Sequence, residues 1–133
     1  MRGGIKVNLG KEFEEKLKEK LNMPNPHILK LKSDLSYLKE ATCFDKIKYI
    51  ILFGSCSKGI ATLRSDIDLC VIVDEELNRY DVADIRVTLN DDTEFGVETN
   101  VVVVDEKTYV EHYSTLRLYR EIGSGVQIYK REV

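Results

Sequence analysis

The sequence predicts a small α/β domain in which helices pack on a mixed β-sheet. Three runs rich in β-branched and aromatic residues, at positions 46–54, 66–73 and 97–104, have the composition of buried strands. Segments with the apolar spacing of helices lie before and between these runs. Helix and strand signals that alternate along a chain are typical of proteins whose helices cover a sheet.

Two helices are predicted before the first strand. The first covers residues 11–21 and carries a narrow apolar stripe, which favours light packing or contact with a partner: Phe13, Leu17 and Leu21. In the second, Asn25 is expected to be the N-cap and Pro26 to lie in the first turn, and the helix should end near Ala41. Its apolar face consists of Ile28, Leu31, Leu35 and Leu38.

The rest of the chain predicts shorter elements. A helix is expected within residues 75–89, although polar residues weaken its pattern. Asp105 should cap a short helix, Ser114 should cap another, and Gly123 should end it. A final strand, residues 126–129, would close the sheet edge. We expect residues 1–44 to form an N-terminal helical segment of one compact domain.

Composition and charge limit the classes of function. The 133 residues include 43% hydrophobic and 32% charged residues, as in ordinary globular proteins. The formal net charge is -3, so no global basic field would gather nucleic acid, and a polynucleotide partner is not expected. The longest apolar stretch, residues 49–53, is too short to cross a membrane and no signal-peptide core follows the first residues. We therefore expect a cytoplasmic protein.

Cysteine and histidine positions argue against a thiol or imidazole site. Cys43, Cys56 and Cys70 lie 13 and 14 residues apart, a spacing that suits neither a disulfide framework nor a zinc site. We expect reduced and mostly buried thiols. His27 and His112 are far apart in sequence, which disfavours a histidine metal cluster or a cysteine–histidine nucleophile pair.

The candidate chemistry lies in residues 53–69, where Asp66 and Asp68 begin the second predicted strand. Residues two apart on a strand point to the same face, at roughly 6.6 Å by the ~3.3 Å rise per residue. Two carboxylates held this close repel each other, and Mg²⁺ relieves the repulsion by accepting oxygens from both. The alternative is that they are solvated carboxylates at the end of a strand.

A candidate phosphate site precedes these carboxylates. Gly54 and Ser55 follow the first strand directly, where a glycine lets exposed backbone N–H groups approach a phosphate. Lys58 and Arg64 supply cations that would offset triphosphate charge, and Ser65 completes the predicted substrate-binding set. For each basic residue, an ordinary solvated side chain is the alternative.

Together, Gly54-Ser55, ten intervening residues and Asp66-x-Asp68 resemble the signature of the polymerase-beta-type nucleotidyltransferase superfamily. More narrowly, the chain is similar to the minimal nucleotidyltransferases, including antitoxins paired with HEPN-domain proteins in toxin–antitoxin systems. The resemblance covers about residues 46–129. It implies a nucleotidyltransferase-like domain over residues 45–133, a nucleoside triphosphate substrate with ATP as first candidate, and two Mg²⁺ ions, with Mn²⁺ as a substitute.

The third carboxylate departs from the family pattern. The family commonly places an aspartate ahead of four apolar residues, and here Asn100 stands ahead of residues 101–104. An amide oxygen can touch a metal but cannot act as a base. Glu98 lies two residues earlier on the same predicted face, and we assign it a catalytic and metal-binding role beside Asp66 and Asp68. The alternative is that Glu98 is a surface residue at the end of a strand.

Two functions of different classes therefore remain. In the first, the protein is a metal-dependent nucleotidyltransferase that moves a nucleoside monophosphate to an acceptor hydroxyl, on a small molecule or a partner's side chain, and releases pyrophosphate. In the second, it is a catalytically weakened binding module that docks on a HEPN-type partner, and Asn100 is the feature that favours this. The apolar stripe of the first helix could serve either as a partner contact or in a homo-oligomer.

Overall fold

The structure, a computed structural model, describes residues 11–91 and 94–131, except for the side chains of residues 11–13 and 91. The helices of this part are α1 (Lys11–Leu21), α2 (Asn25–Glu40), α3 (Arg79–Asp91), α4 (Glu106–His112) and α5 (Arg117–Gly123). The strands are β1 (Ile47–Phe53), β2 (Ile67–Val73), β3 (Thr99–Asp105) and β4 (Val126–Lys130). Short 3₁₀ turns, Phe44–Lys46 and Gly54–Lys58, precede and follow β1.

The four strands form one mixed sheet in the order β3-β2-β1-β4. β2 and β3 are parallel, whereas β1 runs antiparallel to both β2 and β4. The predicted mixed sheet is thus confirmed, with the predicted final strand at one edge. The register places Asp68 opposite Asn100 of β3 and opposite Phe53 of β1.

Side chains of β2 alternate between two apolar layers. Ile67, Leu69 and Val71 point into the main core, which includes apolar side chains of α1, α2 and α3. Cys70 and Ile72 point the other way, into a smaller core to which α4 and α5 contribute. Asp68 shares this second face by alternation. The three cysteines are all free and buried, as predicted.

Several helix ends in the structure differ from the predicted ones. Asn25 is not the N-cap of α2: Pro24 occupies that position in extended backbone, and its carbonyl accepts the amide of Ile28 at 3.1 Å. Ser114 is not a cap either, because Leu116 precedes the first residue of α5. Asp105 does cap α4, since its side chain accepts the backbone N–H of Thr108 at 2.9 Å. α5 ends at Gly123, although its C-cap is the following residue.

The predicted light packing of α1 is wrong at its centre. Leu17 is only 2% exposed and belongs to the main core, and Leu21 packs against that core. The side chain of Phe13 lies outside the described residues. The predicted division of the chain at residue 44 stays a prediction. No helix in the described part of the chain has the length and apolar character needed to span a membrane.

Side chains of α3 cover the outer edge of β3. The Asn90 amide accepts the backbone N–H of Thr99 at 3.0 Å and donates to the Thr99 carbonyl at 2.8 Å. One turn earlier, Arg86 donates from Nε to the carbonyl of Val101 at 3.4 Å. These side chains satisfy backbone groups that a neighbouring strand would otherwise pair.

Candidate active site

Three polar side chains meet where the parallel strands β2 and β3 begin. Asp66 lies directly before β2, Asp68 is its second residue, and Asn100 is the second residue of β3. The amide nitrogen of Asn100 lies 3.1 Å from Oδ1 of Asp68 and 3.4 Å from Oδ2 of Asp66. Because one amide donates to both carboxylates, their oxygens converge on a single point. The cluster lies on the sheet face opposite the main core.

The surroundings of Asp68 disfavour the charged form of its carboxyl group. Partial burial raises its pKa, and the charges of Asp66 and Glu121 raise it further, while the hydrogen bond from Asn100 lowers it. Glu121 lies on α5 and is a residue that sequence reasoning missed. No motif marks it, because its electrostatic effect on Asp68 depends on how α5 packs against the sheet.

Gly54 stands against Asp68 at the end of β1. It adopts a φ of 73°, in the left-handed region that other residues rarely enter. A Cβ at this position would lie 2.3 Å from Oδ2 of Asp68. Only glycine therefore allows the turn after β1 to approach the carboxylate this closely.

The 3₁₀ turn Gly54–Lys58 carries the other candidate phosphate-binding groups. Ser55 is half-buried, and within the described residues its hydroxyl has no hydrogen-bond partner. The hydroxyl of Ser57 donates to the Gly54 carbonyl at 2.8 Å and steadies the turn, a contact that the sequence did not indicate. The side chain of Lys58 is exposed to solvent. The turn therefore keeps a hydroxyl and an ammonium group accessible beside the carboxylates.

The loop between this turn and β2 places Arg64 and Ser65. The Arg64 side chain is exposed. Ser65 closes a local turn, since its hydroxyl accepts the backbone N–H of Thr62 at 2.9 Å, and its carbonyl accepts from Nε2 of His27 at 2.6 Å. Both residues thus directly precede the cluster, and their role in substrate binding stays a prediction.

Cys56 lies beneath the site, and its thiol is unreactive. Its thiol is fully buried and donates to the backbone carbonyl of Asp66 at 3.6 Å. Burial, with the charges of Asp68 and Asp66, raises the pKa of this thiol to about 11. A thiol that stays protonated at neutral pH is a poor nucleophile, so Cys56 supports the loop rather than the reaction.

Glu98 lies directly before β3. Its side chain is exposed, and its backbone carbonyl accepts the N–H of Ile67 at 2.9 Å. Within residues 11–91 and 94–131, no three His, Cys, Asp or Glu side chains are grouped to hold a metal. The structure shows the amide of Asn100 in contact with Asp66 and Asp68. The catalytic role assigned to Glu98 stays a prediction.

The donor set fits a hard divalent cation. Asp66 and Asp68 offer carboxylate oxygens on one face, and the amide nitrogen of Asn100 lies where a positive charge would be stabilised by both. The side chain of Asn100 also carries an oxygen, a ligand type that Mg²⁺ accepts. Two carboxylates and an amide give the site a charge of -2, one less than three carboxylates would give.

Comparison with known proteins identifies the family. The sequence model of the family described as "Polymerase beta, Nucleotidyltransferase" matches residues 36–132, which include every residue of the cluster. A solved structure from Sulfolobus solfataricus, described provisionally as a nucleotidyltransferase, is 21% identical, with a TM-score of 0.48 over 92% of this chain and 90% of that one. No curated protein sequence matches significantly. Since the family model covers most of the chain, the protein belongs to the polymerase-beta-type nucleotidyltransferase superfamily.

Proposed function

We propose that the protein is a metal-dependent nucleotidyltransferase that moves a nucleoside monophosphate from a nucleoside triphosphate to an acceptor hydroxyl and releases pyrophosphate. The observation that carries the proposal is the convergence of Asp66, Asp68 and Asn100 on one point beside Gly54. Family membership supports it, because enzymes of this family generally use divalent metal ions and nucleoside triphosphates.

In this proposal, Asp66 and Asp68 would hold Mg²⁺ and position the nucleoside triphosphate for in-line attack by the acceptor hydroxyl. When bound, the metal supplies positive charge that offsets the charge of the phosphates; two ions are expected, and Mn²⁺ can replace Mg²⁺. The backbone N–H groups after Gly54 and the free hydroxyl of Ser55 bind the triphosphate. Lys58 stabilises the pyrophosphate as it leaves.

The family resemblance suggests the nucleotide, and the charge of the chain limits the choice of acceptor. ATP is the first candidate, and the acceptor is a small molecule or a side chain of a partner protein. The net charge of -3 gives no general attraction for a polynucleotide acceptor. A cytoplasmic location and a homo-oligomeric state stay predictions from the sequence.

A second candidate function is a binding module that docks on a HEPN-type partner, as in toxin–antitoxin pairs. The observation that favours it is the amide of Asn100 in direct contact with both carboxylates. An amide there weakens the attraction for a cation and cannot accept a proton from the acceptor hydroxyl. Under this alternative, nucleotide binding persists while transfer is lost.

Calorimetric titration with Mn²⁺ and a non-hydrolysable ATP analogue tests the proposal, together with transfer assays that use labelled ATP. Asp68→Asn should weaken metal-assisted nucleotide binding and abolish transfer. Asp84→Asn removes one exposed carboxylate from α3, which packs on the opposite face of the sheet. This control should change neither nucleotide binding nor transfer. If Asp68→Asn binds the metal and the analogue as wild type does, the assignment of the cluster is wrong.

A further inference from the structure

Helix α2 carries a buried polar face that sequence patterns do not explain. His27, Lys30 and Asp34 follow one another at steps of three and four, so they share one side of the helix. Each is at most 1% exposed. Apolar residues often replace a buried ion pair without loss of stability, so folding alone does not account for this charged pair.

Lys30 and Asp34 hold the side chain of Thr99, the first residue of β3. The ammonium of Lys30 donates to the Asp34 carboxylate, to the Leu89 carbonyl at 2.6 Å and to the Thr99 hydroxyl at 2.9 Å. That hydroxyl donates in turn to the second Asp34 oxygen at 2.5 Å. All three donors of the ammonium are therefore used, and the hydroxyl both accepts and donates.

Asn90 holds the backbone of the same threonine. Its amide pairs with both the N–H and the carbonyl of Thr99, as a neighbouring strand would. β3 is an edge strand in the described part of the chain, where β2 is its one neighbouring strand. Thr99 is thus fixed through its side chain by α2 and through its backbone by α3.

His27 makes a comparable contact on the other strand of the site. Its Nε2 lies 2.6 Å from the Ser65 carbonyl, which must accept, so Nε2 carries the proton. Within the described residues, its buried Nδ1 has no hydrogen-bond partner. An unpaired buried nitrogen is unfavourable for folding, whereas the hydrogen bond from Nε2 holds the residue directly before Asp66.

These contacts share one consequence. Ser65 and Thr99 directly precede Asp66 and Asn100, whose side chains form the cluster on the far side of the sheet. We propose that the buried polar face of α2 consists of positioning residues: it fixes the starts of β2 and β3 from behind, and so sets the distance between the carboxylates and the amide at the metal site. This inference rests on the proposed function of that site.

Thr99 offers the sharpest test, because two substitutions separate its shape from its hydrogen bonds. Thr99→Val keeps the shape and loses the hydroxyl, whereas Thr99→Ser keeps the hydroxyl. Mn²⁺ affinity is measured by titration, and the midpoint of thermal unfolding is measured beside it. We expect Thr99→Val to weaken Mn²⁺ binding by about tenfold, the order seen when groups that orient metal ligands are removed. Thr99→Ser should bind Mn²⁺ as wild type does.

A second background shows whether Thr99 acts through Asn100. In an Asn100→Ala protein, Thr99→Val should no longer change the Mn²⁺ affinity, because the ligand that it positions is absent. A merely structural role would give the same loss in both backgrounds. The inference is overturned if Thr99→Val binds Mn²⁺ like wild type, or if its effect persists undiminished without Asn100.

A combined variant, Lys30→Met with Asp34→Leu, tests α2 directly and avoids leaving a lone buried charge. It should unfold near the wild-type temperature and bind Mn²⁺ about tenfold more weakly; wild-type affinity in the folded variant would overturn the inference. If this variant does not fold, the Mn²⁺ affinity of Thr99→Val tests the inference. Asp68→Asn separates the two proposals: wild-type Mn²⁺ affinity in that variant refutes the site itself, whereas a loss there with no effect of Thr99→Val refutes only the role of α2.

Discussion

Asn100 presents its amide nitrogen, rather than its oxygen, to Oδ1 of Asp68 at 3.1 Å. This N–H group donates to the carboxylates, and the same nitrogen would repel a cation. For a cation to share the three side chains, the amide would have to turn over and offer its oxygen. Metal binding through Asn100 therefore requires the opposite orientation of this amide.

Nuclear magnetic resonance can detect this rotation. Addition of Mg²⁺ should shift the side-chain NH₂ signals of Asn100, because their hydrogen bonds to Asp66 and Asp68 break. The same titration of Asp68→Asn should leave them in place. If the Gly54 backbone signal responds to Mg²⁺ while the Asn100 side chain does not, the amide takes no part in binding the ion.

Exchange of the amide for a carboxylate should strengthen the site. Asn100→Asp adds a negative charge at a position already in contact with both aspartates, so Mn²⁺ affinity should rise by on the order of tenfold. Transfer of labelled nucleotide should rise with it. Asp84→Asn is the matched comparison, because it removes an exposed carboxylate on the opposite face of the sheet and should have little effect. Glu98→Gln tests the role predicted for Glu98: loss of transfer with nucleotide binding intact would make Glu98 the catalytic carboxylate, and unchanged transfer would exclude it from the site.

Alanine substitutions at two glycines separate the effect of backbone strain from the effect of crowding at the site. Gly54 and Gly59 have φ values of 73° and 75°, so alanine at either should cost about 1–2 kcal/mol of folding stability. Only at Gly54 does the new Cβ collide with Asp68, since at Gly59 the nearest atom is a backbone oxygen 3.7 Å away. Gly54→Ala should therefore lose Mn²⁺ binding, and Gly59→Ala should keep it. Equal Mn²⁺ affinities in two similarly destabilised proteins would contradict the close approach described for Gly54.

The two ends of β2 should respond to pH with opposite signs. Burial and neighbouring charge raise the pKa of Asp68 above the ordinary value of 3.8, so its stabilising contribution exists below that pH and is lost as pH rises through the folded-state pKa. Asp68→Asn should consequently melt at a higher temperature than wild type at pH 7, and the difference should vanish in acid.

Asp74 supplies the control for that experiment. Hydrogen bonds from Arg131 lower the pKa of Asp74, so its contribution exists above the unfolded value of 3.8 and is lost as pH falls. Asp74→Asn should melt below wild type at pH 7 and match it in acid. Melting curves for both variants between pH 3 and pH 7 decide the matter, and a shift of the same sign for both would be inconsistent with these pKa directions.

The strands and the two aspartates could be predicted from the sequence because the patterns that mark them are local. Runs of β-branched residues place β1 and β2 within a residue of their observed limits. The spacing of Asp66 and Asp68 fixes their common face once the strand is known. The phosphate-binding role of Gly54 stays a prediction, and its close approach to Asp68 became visible only in the structure.

The residues that sequence analysis missed or misplaced depend on distant partners. Lys30 and Asp34 have the polarity of a solvent-facing helix surface. Nothing local shows that the Thr99 hydroxyl, 69 and 65 residues away, accepts from Lys30 and donates to Asp34. Glu121 approaches Asp68 only through the packing of α5. Ser114 has a good capping side chain, yet α5 begins three residues later because its first turn is set by tertiary packing rather than by the cap.

The side chains of α3 that cover β3 also protect the protein from its own copies. An exposed strand edge is a template on which another chain can add a strand, and such addition leads to aggregation. Asn90 and Arg86 already occupy the outward backbone groups of Thr99 and Val101. The sheet therefore ends at β3, and a second molecule cannot extend it there without first displacing both side chains.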